Sequence, residues 1–139
     1  MDEPDSGPID RQVLRLLDGK LVSYPLVTST EYVPDPYEPR QLRALFVENR
    51  YPSAVESARI EIRWFEAGDF GFHYVEEDEE STWQCRWDRH PNPHNSRNHF
   101  HEPPDCVSVV DLSLLETNPV PLLFTVLSAI EERIGQLWD

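Results

Sequence analysis

Lysine is almost missing from this chain. Of its 12 basic residues only Lys20 is a lysine, against 26 acidic residues and a net charge of -14. Abundant Asp and Glu with almost no Lys is the composition of proteins from halophiles that accumulate salt, where molar salt screens the self-repulsion. An acidic protein that binds basic partners would carry the same charge, but here the acids are spread along the chain. In molar salt, phosphate recognition must rest on placed arginines and short-range contacts. Cysteine is scarce too. Cys85 and Cys106 are the only two, and no charged-then-apolar leader precedes them, so free thiols in a reducing cytoplasm are expected. No apolar run approaches the roughly 18 residues of a membrane span. What is present suffices for one domain: 139 residues, 39% hydrophobic and 11% aromatic, need no disulfide or metal staple.

Met1 to Gly7 is acidic and reads as a flexible arm, leaving residues 8–139 as a single domain. Pro8 opens a short helix with Ile9, Val13, Leu16 and Leu17 on one face, and Gly19 ends it. Leu21 to Thr28 is a candidate strand that Pro25 pushes to an edge. Val33 to Pro39 is a loop, and Gln41 to Glu48 a second candidate strand. Three segments then alternate: Arg59–Phe65, Phe70–Val75 and Thr82–Asp88. They predict an antiparallel meander with an aromatic face and a polar face. Pairing Ile62 with Phe72 keeps the apolar residues aligned and sets Glu61 opposite His73. The acidic run from Glu76 to Glu80 reads as a solvated turn, and Val107 to Glu116 lacks a pattern. Asn118 caps a long helix in which Leu123, Leu127, Ile130, Ile134 and Leu137 form one stripe. That stripe either covers the sheet or serves as a homodimer seam. The expected fold is α+β: four to five antiparallel strands, a C-terminal amphipathic helix and a short N-terminal helix.

Chemistry-bearing side chains concentrate between Trp83 and Asp105, which hold His90, His94, His99 and His101 with Arg86, Arg89 and Arg97. Pro91, Pro93, Pro103 and Pro104 forbid helix there, so the segment reads as a loop leaving the third strand. Three readings stay open. His99 and His101, with His94 and other nearby ligands, would suit a divalent transition metal such as zinc. Alternatively, no cofactor is needed. Metal-independent RNA transesterification requires a base, an acid and cations, which histidines and arginines supply. Arg63, His73 and Arg86 on the polar face, under the loop's histidines and Arg89, would provide all three. In the third reading the histidines only cap backbone groups and pack. On geometric grounds His73, Arg86 and Asp88 share one face. At least two of His94, His99 and His101 should fold back toward them, with Asp88 accepting an imidazole N–H.

Arg86-Trp87-Asp88, then His94, then His99-x-His101, with FHYVEE before and an amphipathic helix after, resembles the TumE-type toxin family of prokaryotic toxin–antitoxin systems. Members show Arg-aromatic-Asp-Asn closing a strand, a Pro-His-His loop, a second His-rich segment and a closing helix. The likeness runs from about residue 55 to 138, and the chain is similar over nearly its full length to a haloarchaeal branch. Arg89-His90 replaces the usual Asn, and double histidines are thinned to single ones. The resemblance implies a small toxin paired with a nucleotidyltransferase-like antitoxin. The candidate catalytic set is therefore His73, Arg86, Asp88, His94, His99 and His101, with Arg63, Arg89 and Arg97 toward an RNA substrate.

Overall fold

The alternating segments pair as their aromatic periodicity dictates, and further strands extend them on both sides. The computed structural model describes residues 7–89, 98–112 and 117–139. Helix α1 (Arg11–Leu21) is followed by β1 (Val27–Val33), β2 (Gln41–Phe46), β3 (Ser57–Trp64), β4 (Phe70–Glu77), β5 (Thr82–Arg89), β6 (Asn98–His101) and β7 (Val109–Asp111), and α2 (Pro119–Leu137) comes last. The strands form one seven-stranded sheet in chain order, each antiparallel to its neighbours. In the β3–β4 hairpin Ile62 lies opposite Phe72 and Glu61 opposite His73. Gly68, at φ 98°, makes the turn between them, a conformation that a β-carbon penalises.

The expectation of four to five strands undercounts. Phe100 packs on Trp87 with ring centroids 5.0 Å apart, so Asn98–His101 is a strand within the segment read as loop. Proline excludes helix from that segment but leaves extended chain free to pair. β7 lies in the stretch that had no legible pattern. Its valines are exposed, and an edge strand without a buried face carries no alternation. The first strand begins at Val27, because Leu21 still belongs to α1 and is fully buried. Gly19 does not end that helix, and Asp10, not Pro8, begins it: the Asp10 carboxylate accepts from Val13 N–H at 3.1 Å. The buried stripe is Leu14, Leu17 and Leu21, while Leu16 is exposed.

Both helices lie on the aromatic face. Leu122, Leu123, Val126, Leu127, Ile130 and Ile134 join Ile60, Ile62, Phe72 and Tyr74 in one core. The stripe proposed as a homodimer seam is thus already buried within the chain. Among the described residues no layer covers the other face. Among the described residues no helix is long and apolar enough to cross a membrane.

Charge is poorly compensated across this fold. Among the described residues Arg43, Arg50, Arg59, Arg86, Arg89 and Arg133 sit beside carboxylates, but the chain carries 14 more acids than bases. Screening relieves like-charge repulsion more than it weakens so few attractive pairs. The melting temperature should rise by about 5 °C or more from dilute buffer to molar KCl, equivalent to about 1.5 kcal/mol at this size. A melting curve that is flat with salt would reject the halophilic reading of the composition.

Candidate functional site on the uncovered face

Alternation sends Trp87, Cys85 and Phe72 to the core, and therefore Arg86, Gln84 and His73 to the uncovered face. Register then lines these residues up. Glu31 lies opposite Arg43, Arg43 opposite Glu61, Glu61 opposite His73, His73 opposite Arg86, and Arg86 opposite His101. One row of charged and imidazole side chains thus crosses six strands. The adjacent row is Arg63, Gly71, Asp88, His99 and Asp111.

Asp88 is the hub where the rows meet. It is 5% exposed, and its Oδ2 accepts from Arg86 Nε at 3.0 Å and from His101 Nε2 at 2.9 Å. Arg86 Nη2 lies 3.4 Å from that same imidazole nitrogen. His99 Nδ1 stands 3.9 Å from Asp88 Oδ1. The carboxylate therefore fixes the ring of His101 and the guanidinium of Arg86 together, which are the interactions that orient a proton-transfer group.

One strand away from Arg86, and on its other side, His73 Nε2 is 2.7 Å from Gln84 Oε1, and its Nδ1 is 3.8 Å from Glu61 Oε1. Burial is the largest influence on this imidazole and pulls its pKa below the ordinary 6.5; the Gln84 hydrogen bond and Glu61 oppose this, and Arg86 and Arg59 reinforce it. Burial thus favours the neutral form of His73. His73 and His101 are separated by two strand spacings, roughly 10 Å, with Arg86 between them. Gly71 presents no side chain between Arg63 and Asp88 and leaves a cleft of about 40 Å³ lined by Arg63, His73 and Arg86.

The depressed His73 pKa sets a direction for stability. Its folded value lies below its unfolded one, so the contribution is present above pH 6.5 and is lost as pH falls from there through the folded pKa. His73→Gln should flatten the pH dependence of unfolding in that window. An NMR titration placing the His73 midpoint at or above 6.5 would contradict the geometry.

The structure brings together His73, Arg86, Asp88, His99 and His101, with Arg63 at the edge of the cleft. It does not bring Arg89 to them. Arg89 is opposite Phe70, so it has the core-side parity, and it ties to Asn98 Oδ1 at 3.3 Å and Asp69 Oδ1 at 3.8 Å. The expectation that Arg89 joins the substrate face fails on the period of two alone. His90, His94 and Arg97 lie outside the described residues. For a metal, the described residues offer no group of three His, Cys, Asp or Glu placed to hold one, and His94 of the metal reading falls outside them. Both thiols are free; burial pushes Cys85 up to about 12 and Cys106 upward, which leaves neither a ready nucleophile.

Sequence reasoning missed Gln84 as the partner of His73 and Gly71 as the floor of the cleft. An isolated glycine inside an alternating strand was the available signal.

The sequence model of the family described as Toxin TumE matches residues 16–134. Neither a curated protein nor a solved structure matches the chain.

Proposed function

The chain belongs to the TumE toxin family, and from that premise we propose that it is the toxin of a toxin–antitoxin pair and cleaves RNA without a metal. The observation that carries this reading is the row His73, Arg86, His101 on the uncovered face, with Asp88 holding the last two. A phosphodiester seated over Arg86 has an imidazole on each side. The neutral His73 takes the proton of the 2′-hydroxyl, and the freed oxygen attacks phosphorus. Arg86 forks onto the non-bridging oxygens, where charge builds up. His101 gives its proton to the departing 5′-oxygen. The products are a 2′,3′-cyclic phosphate and a 5′-hydroxyl, so protons and bonds balance. Arg63, across the Gly71 cleft, contacts the substrate. His99 packs beside Asp88, while His94 and Arg97 belong to the set through the motif. A nucleotidyltransferase-like antitoxin is the partner in this reading.

Induced expression should arrest growth, and extracted RNA should carry 2′,3′-cyclic phosphate ends. Purified protein should keep its activity in EDTA. Normal growth with intact RNA, despite soluble protein, would overturn the proposal. Activity lost to EDTA and restored by zinc would move it to a metal site at His94, His99 and His101.

A further inference from the structure

The row does not hold all the arginines of this side of the molecule. A cleft of about 830 Å³ opens between the start of α1, the turn before β2 and the end of β3. Backbone bonds hold its walls together: Asp10 N–H donates to Trp64 O at 2.8 Å, Glu66 N–H to Pro8 O at 2.9 Å, and Arg40 N–H to Val33 O at 2.8 Å. Arg11, Arg40 and Arg63 line it, and so does Phe65. These three arginines differ from most others. Arg43, Arg50, Arg59, Arg86, Arg89 and Arg133 are all beside carboxylates. Arg11, Arg40 and Arg63 stand in no ion pair among the described residues, although the chain has more than two acids per base. Asp10 also lines the cleft, but its carboxylate caps Val13. Glu38 and Glu66 share the wall and are exposed. Three guanidiniums left unpaired around one cleft, in a protein this acidic, are available for an outside anion.

Arg63 lines both this cleft and the small one beside His73 and Arg86. The two thus share Arg63 as a wall residue, and Arg63 lies two strands, roughly 10 Å, from Asp88. That is a path for an extended polyanion and too long for a single phosphate. The half-buried ring of Phe65 adds an aromatic face among the cations, the combination that holds single-stranded nucleic acid.

We propose that this cleft carries the backbone of single-stranded RNA away from the scissile phosphate, with Arg63 as the shared contact and Arg40 and Arg11 binding the phosphates beyond it. The proposal rests on the RNA-cleaving reading and names the substrate as an extended single strand. Its test is the double variant Arg11→Gln/Arg40→Gln, which leaves the catalytic face intact. For a longer single-stranded oligonucleotide kcat/KM should fall by about tenfold or more, through KM, and cleavage of a dinucleotide should not change. Losing two phosphate contacts should also make the salt dependence of oligonucleotide binding shallower by about 1.4 in the log–log slope. An unchanged melting temperature excludes misfolding. Equal treatment of both substrates by variant and wild type overturns the cleft and leaves the catalytic row standing. Wild-type protein that cleaves neither, yet binds labelled oligonucleotide that the variant does not, keeps the cleft and removes the catalytic reading. Wild-type protein that binds no oligonucleotide overturns the cleft outright.

Discussion

Asp88→Asn should lower RNA cleavage by about 10²–10⁴-fold. The substitution keeps the size of the side chain and removes its charge. Asp88 Oδ2 now receives both Arg86 Nε and His101 Nε2. An amide oxygen in the place of Oδ2 carries no charge, so it holds the Arg86 guanidinium and the His101 N–H much more weakly than the carboxylate does. His101 then loses the orientation that a proton transfer to the 5′-oxygen requires. The loss should appear in kcat, since Arg63 and the rest of the face still bind substrate. The cost in stability should be about 1–3 kcal/mol, because Arg86 and His101 are both partly exposed and water replaces part of what is lost. His101→Gln should reproduce the rate loss. Single-turnover kinetics on a defined oligonucleotide, beside a denaturation curve for each variant, measures the two quantities. Wild-type kcat in Asp88→Asn would remove this residue from the mechanism.

Arg133→Ala should destabilise the fold by about 3–5 kcal/mol without touching the active face. Arg133 on α2 donates to both oxygens of Glu76 on β4, at 3.1 and 2.8 Å, and Glu76 is 4% exposed. Its guanidinium carbon lies 3.7 Å from the centre of the Trp83 ring. Behind it, Tyr74 O–H donates to Glu76 Oε2 at 2.7 Å, and the Tyr51 and Tyr74 hydroxyls are 2.7 Å apart. Burial raises the Tyr74 pKa far above its ordinary value, and Tyr51 and Glu76 add to this, so the phenol stays a donor. Removing Arg133 leaves a carboxylate in the core with only a phenol to face it. The double change Arg133→Met/Glu76→Gln should recover most of the loss, since no lone charge remains. Urea denaturation of the single and double variants gives the coupling directly. Additive losses would mean that the pair is not coupled.

Glu76 also marks the limit of what the sequence conveys. It was read as the first residue of a solvated acidic turn, because its neighbours Glu77 to Glu80 are acidic. Its partner lies 57 positions away, and no local pattern reports such a pair. Arg59 to Asp88 was legible for the opposite reason. Three aromatic alternations with short turns leave one register that keeps Ile62 on Phe72. That same alternation fixed His73, Arg86 and Asp88 on one face. It also holds Arg89 away from them, a consequence that counting by twos from Asp88 already contained. β6 was hidden by the prolines on either side of it and by its own histidines, although His99-Phe100-His101 alternates as clearly as any strand here. β1 was displaced because the end of α1 is set by Leu21 meeting the core, and helix-stop signals such as Gly19 are weaker than that contact.

Strand order and chain order coincide, and this has a consequence for how the protein is made. Each new strand finds its partner in the one just synthesised, so the sheet can zip up hairpin by hairpin with little loop entropy to overcome. The helix that covers most of the aromatic face, α2, follows all seven strands. The row of His73, Arg86 and His101 is thus complete in the chain while Phe72, Tyr74 and Trp87 still face water. A nascent toxin in that state is sticky before it is rigid. The interval before α2 docks is when it is most exposed to aggregation and proteolysis, and the speed of that last step governs how much active protein each round of translation yields.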